Sequence, residues 1–193
     1  PAVNAAAVGF EKPFIVINSA MVEMLDRDEL RFIIAHEVGH IMSGHTTYRT
    51  IALILLMVGL NGLPFLAGLA LLPFQLALLE WYRKSELSSD RAGLLGVQDV
   101  RVAQSAFLKM AGGGPLGDKI DLDAFMVQAR EYEIDEGAWD KVLKILNTAF
   151  RDHPFATVRA AELQRFVDSG QYEKILAGDY VRRGDEKDQP LDV

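Results

Sequence analysis

His36-Glu37-Val38-Gly39-His40 is the stretch on which the reading of this chain turns. Residues four apart share one face of an α-helix, so both imidazoles can reach a single ion, with a carboxylate beside the first. The flanks predict a helix. Asp26 and Glu29 have the spacing of a capping box, and Gly44 is a C-terminal stop. Leu30, Ile33, Ile34, Val38 and Ile41 recur at helical spacing and form the expected buried stripe. Glu37 interrupts that row, four residues after Ile33 and four before Ile41. A carboxylate placed there loses hydration unless a charged or hydrogen-bonding group faces it. A cation with its water is such a group. The plain alternative is an amphipathic helix that happens to contain His, Glu and His; the cap, the misplaced carboxylate and the downstream residues weigh against it.

Outside this helix, composition narrows the class. At 193 residues with half of them apolar, the chain can build one sizeable core. A net charge of −7 and the lack of any Lys/Arg block argue against a nucleic-acid partner. With no cysteine there is neither a disulfide framework nor a thiolate metal site, which fits a reducing compartment. The chain opens at Pro1 with no methionine or signal-peptide pattern, as a piece of a longer protein would.

Ile51 to Leu79 carries no charge, and Asn61 and Gln75 are its clearly polar side chains. A hydropathy window reads it as a membrane span. Asn61-Gly62-Leu63-Pro64 reads as a turn, however, and divides it into pieces of roughly 15 and 22 Å as helices, against about 30 Å of hydrocarbon. If a third metal ligand follows this stretch, both of its ends return to one side, which excludes a single crossing. Three readings stay open: a buried hairpin, a hairpin dipping into a membrane interface, or an interface with another subunit.

Two short strands, Asn4 to Val8 and Phe14 to Ile17, are expected before the metal helix, the second apolar throughout and buried on both sides. After Leu94 the pattern predicts helices at about 97–111, 121–133, 136–150, 154–168 and 171–177. Gly112-Gly113-Gly114-Pro115 is a break rather than a phosphate cradle, since no strand precedes it and no P-loop lysine follows. The tail from Val181 is charged and expected to be disordered. Residues 1–180 read as a single domain.

Zinc requires a third protein ligand and an open fourth position. The metzincin solution needs a glycine at position 43 and a histidine at 46, and the chain has Ser43 and Thr46. His45 is one residue early and is expected to be structural or to cap the helix end. The better candidate is Glu86. It lies one turn from Asp90 on a helix expected from about Leu76 to Leu95, and two like charges at that spacing need a cation or donor nearby. A solvated face with Arg83 pairing to Glu86 is the alternative; beside a helix that already offers two histidines, ligation is preferred.

Asn4-Ala5, His36–His40, the apolar stretch, Glu86–Asp90 and His153-Pro154…Arg159 occur in one order. That order resembles the HtpX and CAAX-prenyl-protease type of gluzincin metallopeptidase over roughly residues 3 to 165. The resemblance implies a zincin-like, mainly helical α+β fold, with a short N-terminal strand pair and an apolar helical hairpin between two metal-binding helices. It implies one Zn2+ per chain on His36, His40 and Glu86, with Glu37 as general base and Asp90 orienting a ligand histidine. His153 and Arg159 would hold substrate or stabilise an oxyanion; His153 alternatively caps the helix that Pro154 begins. Asn4 and Ala5 would lie on an edge strand that pairs with the substrate backbone. The chain departs from the family pattern at Ala6, where members often carry an aromatic.

The function expected is therefore a zinc endopeptidase acting on protein or peptide substrates. Its rival is a catalytically silent zinc-stabilised interaction module that works through residues 51–79. A membrane surface or a second copy of the chain is a possible partner through that stretch, and nucleic acid is not. The expected location is the cytoplasmic side, soluble or peripheral to a membrane.

Overall fold

The side chain of Asp26 accepts the backbone N–H groups of Asp28 and Glu29, both at 2.9 Å. Glu29 reaches back to the Asp26 N–H at 2.8 Å. The capping box read from the sequence is thus formed, and it starts the helix that carries both histidines. The computed structural model describes residues 3–9, 12–45, 47–48, 65–114, 119–134 and 156–182. In chain order its elements are β1 (Ala5–Val8), β2 (Phe14–Ile17), α1 (Ser19–Met24), α2 (Arg27–Met42), α3 (Phe65–Val97) and α4 (Val100–Leu108). A π-helical turn (Lys109–Gly113) then leads to α5 (Leu122–Ile134), α6 (Ala156–Asp168) and α7 (Gln171–Leu176). The fold is mainly helical with a two-stranded antiparallel sheet, as expected. The first arm of the apolar stretch up to residue 64, the helix expected at 136–150, His153 and the tail from 183 lie outside the described residues.

The sheet pairs Ala5 with Ile17 and Ala7 with Ile15. The Asn18 N–H donates to the Asn4 carbonyl at 3.0 Å. Bonded pairs alternate along an antiparallel ladder. Asn4, Ala6 and Val8 therefore turn their backbone groups toward β2, and Ala5 and Ala7 turn theirs to the outer edge of β1. Phe14 and Val16 are exposed, so β2 is not buried on both sides as its apolar run suggested. A sheet of two strands has one covered face here, with β1 against α2.

The buried stripe of α2 also differs from expectation. Ile34 and Val38 are 41% and 42% exposed, and the buried face carries Phe32, Ile33, His36, Glu37, Gly39 and His40. Packing against α3 sets this rotation. A Cβ on Gly39 would stand 2.8 Å from the Ala92 Cβ, and one on Gly93 would stand 2.7 Å from the Phe32 ring. The two helices approach more closely than any larger residue permits, and the polar functional residues ride inward with that contact. Beyond it, the Phe32 and Phe107 rings meet edge to face at 5.3 Å, and Leu94, Phe125, Leu163 and Phe166 complete a core shared by α2 to α6.

Glu29 has a second task. Its carboxylate accepts Ser105 Oγ at 2.6 Å and the buried Lys109 Nζ at 2.9 Å, which ties the start of α2 to α4 and the π-helical turn. The helix bearing Glu86 is longer than expected, from Phe65 rather than about Leu76, with Pro73 inside it and Phe74 exposed. Among the described residues, no helix is long and apolar enough to cross a membrane.

Candidate metal centre

α2 delivers His36, Glu37 and His40, α3 delivers Glu86 and Asp90, and α6 delivers Arg159. His36 Nε2 and His40 Nε2 stand 3.1 Å apart. Glu86 Oε1 is 3.2 Å from His40 Nε2, and Oε2 is 3.6 Å from His36 Nε2. Two ligands bound tetrahedrally at 2.0–2.1 Å stand about 3.3 Å apart, so the observed triangle has the size of one face of such a site. All three side chains are buried. Two imidazole nitrogens and a carboxylate so close together repel unless a proton or cation lies among them. The donor set fits a divalent metal ion.

His36 is held from behind. His36 Nδ1 lies 2.8 Å from Asp90 Oδ1, which directs Nε2 to the triangle. Arg159 forks onto Asp90, Nε to Oδ2 at 2.8 Å and Nη2 to Oδ1 at 2.5 Å, with its guanidinium over the Phe107 ring. Burial by itself would raise the Asp90 pKa, but the Arg159 charge and hydrogen bonds, with those of His36, leave it below its ordinary value. Burial likewise works against the Arg159 charge, and Asp90 outweighs it and raises the pKa. Arg83 pairs with Glu80, at 2.8 Å and 3.0 Å, and Glu86 is buried rather than on the solvated face that the sequence also allowed.

Glu37 is 3% exposed, and its Oε2 accepts the Ala7 N–H at 2.7 Å. That N–H belongs to the outer edge of β1, so the open strand edge and the carboxylate meet. His45, expected to be structural or a cap, turns its imidazole toward the site. Its Nδ1 lies 3.2 Å from His40 Nδ1 and 3.4 Å from Ser89 Oγ. Burial, then the neighbouring His40, push its pKa below the ordinary value, against an opposing pull from Glu86.

Of the residues singled out in the sequence, His36, Glu37, His40, Glu86, Asp90 and Arg159 come together. Asn4 immediately precedes β1, with its carbonyl bonded to Asn18, and Ala5 is buried on the strand. Arg159 was expected to face substrate; it is 3% exposed behind the triangle, with its fork occupied by Asp90. Ala7 and the His40-facing role of His45 were missed. Ala7 acts through a backbone N–H that no side-chain pattern announces. His45 is five residues from His40 and becomes its neighbour only because Gly44 takes a left-handed conformation, with φ at 69°.

A helix bearing His-Glu-x-x-His beside a second helix bearing the carboxylate defines the zincin-like class. The chain belongs to Peptidase family M48, whose model matches residues 1–167. It is 34% identical over 180 residues to plastoglobule-localized metallopeptidase 48, chloroplastic, of Arabidopsis thaliana, a match covering 91% of this chain and 52% of that protein. It is 40% identical over 53 residues to protease HtpX of Acinetobacter baumannii (strain AYE), covering 26% of this chain and 17% of the relative. A third match, to a protease HtpX homolog of Helicobacter pylori, has 49% identity over 43 residues and covers 21% and 14%. The HtpX resemblance read from the motifs is borne out. The chain spans about half the length of the Arabidopsis relative. No solved structure matches.

Proposed function

We propose that the chain is a zinc-dependent endopeptidase, with His36, His40 and Glu86 as the metal ligands and Glu37 as general base. The observation that carries this is the buried 3.1–3.6 Å triangle with the Glu37 carboxylate one residue along the same helix. Zinc bound there would supply a Lewis acid that polarises the scissile carbonyl and brings the pKa of water to about 7.

The protein groups supply the rest. Glu37 takes a proton from the attacking water as the new C–O bond forms, then delivers it to the amine as the C–N bond breaks. The Ala7 N–H fixes one carboxylate oxygen during both transfers. Asp90 holds His36 with its Nε2 lone pair forward, and Arg159 holds Asp90 charged and in place. We assign Arg159 a positioning role rather than the substrate contact first expected of it. His153 keeps the proposed role of stabilising the oxyanion or holding substrate. A peptide pairing with the outer edge of β1 would use the backbone of Ala5 rather than that of Asn4, whose carbonyl is bonded within the sheet.

The silent interaction module is less well supported, because Glu37 would then be a buried carboxylate beside the ligand set with no task. Residues 1–180 are read as one metallopeptidase domain, with residues 51–79 available to a membrane surface or a second copy. Metal analysis of purified protein should give about one zinc per chain. Glu37→Gln should retain that zinc and lose peptide cleavage by about 10²–10⁴-fold. Cleavage at the wild-type rate by that variant, on a substrate the wild type cuts, would remove Glu37 from the mechanism.

A further inference from the structure

Among the described residues, only one of the two ligand histidines has a carboxylate behind it. His36 is backed by Asp90, whereas the other ring nitrogen of His40 faces an imidazole, with His45 Nδ1 at 3.2 Å. We propose that His45 is a positioning residue that fixes His40 for the metal by accepting the hydrogen bond that His40 Nδ1–H donates.

The inference rests on the reading of His40 as a ligand and follows from proton counting. A neutral imidazole has one N–H and one lone pair. If His40 Nε2 gives its lone pair to an ion, the ring's proton must be on Nδ1. The atom opposite is His45 Nδ1, which can complete the contact only as an acceptor. That places the His45 proton on Nε2. Ser89 is compatible with the assignment. Its hydroxyl, on a side chain buried beneath the site, also lies within reach of His45 Nδ1, at 3.4 Å. A serine hydroxyl donates or accepts, and here it can turn its proton toward that lone pair. The Trp81 ring meets the His45 ring edge to face at 5.9 Å and limits its rotation. Gly44 supplies the turn that brings His45 back under the preceding helix.

Two substitutions separate this role from simple packing. His45→Asn places an amide oxygen where Nδ1 stands but loses much of the ring volume. His45→Phe keeps the volume and has no acceptor. Zinc affinity, measured by competition with a chromogenic chelator, should fall about 10–100-fold in the Phe variant, as for removal of a ligand's outer partner. The Asn variant should retain most of it. The reverse order, or an equal loss in both, would make His45 a packing residue. A long-range ¹H–¹⁵N correlation spectrum of the zinc-loaded wild-type chain tests the same point with no variant. It should show the proton on His40 Nδ1 and none on His45 Nδ1, and a proton on His45 Nδ1 overturns the proposal. A wild-type chain that binds no zinc would instead overturn the ligand assignment itself.

Discussion

Asp90 and Glu37 are both buried carboxylates, but their partners set them to different tasks. Glu37 meets one backbone N–H, which orients it without neutralising it. Asp90 meets a guanidinium and an imidazole, and the pair is locked. Removing one member of a buried ion pair leaves the other charge uncompensated. Asp90→Ala should therefore cost about 3–5 kcal/mol in urea unfolding of the metal-free chain. An Asp90→Ala, Arg159→Met double variant should lose clearly less than the sum of the single changes, because neither charge is then stranded; an additive result would mean that the pair is not coupled. Glu86→Ala should abolish stoichiometric zinc binding, and retention of one equivalent would exclude Glu86 as a ligand. At this scale the sequence announced which side chains come together where they recur at helical spacing, as for His36, His40, Glu86 and Asp90. It was illegible for Ala7 and for the partner of His45, where a backbone group and a non-helical turn make the contact.

Among the elements, the caps and boundaries of α2 were readable because Asp26 and Glu29 act locally. Its orientation was not. The apolar row through Ile34 and Val38 suggested one buried face, and close packing at Gly39 and Gly93 selected another. Phe32 is fully buried at that crossing, so Phe32→Ala should destabilise the fold by about 3–5 kcal/mol, read from the shift in urea midpoint. On α3, the hydrogen bond from Arg83 lowers the Glu80 pKa, with further help from both the Arg83 and Lys84 charges against a modest burial cost. The folded state therefore holds its Glu80 proton less tightly than the unfolded chain does. The stability gained is present above the ordinary glutamate value of about 4.3 and is lost as pH falls through the lower folded value. Both partners are about one-third exposed, which limits the effect to under about 1 kcal/mol. Glu80→Gln should flatten that acid-side slope in a pH series of unfolding curves and leave stability near pH 7 lower by the same small amount.

At the level of the whole molecule, the order of segments was the most legible feature. Topology required the chain to leave α2 and come back with Glu86, and α3 does bring Glu86 to the histidines. If zinc binds the folded chain alone, its free energy adds to stability by mass action, about 2.7 kcal/mol at a hundredfold excess over Kd. A strong chelator should lower the unfolding midpoint and added zinc should restore it; a midpoint indifferent to both would mean that the folded chain does not bind zinc. The contact between α2 and α3 has a further consequence. The glycines that let the helices touch sit on the same two rods that carry the three proposed ligands, so on that assignment the crossing works as a caliper whose jaws are His36 and His40 against Glu86. Neither the Ala92 Cβ nor the Ser89 Cα can swing away from a methyl group at position 39. Gly39→Ala should spread the jaws, weakening zinc more than the larger cadmium ion in parallel competition titrations. Equal losses would show the helices yielding elsewhere. On that assignment, the spacing at this crossing answers to an ionic radius as much as to the needs of the core.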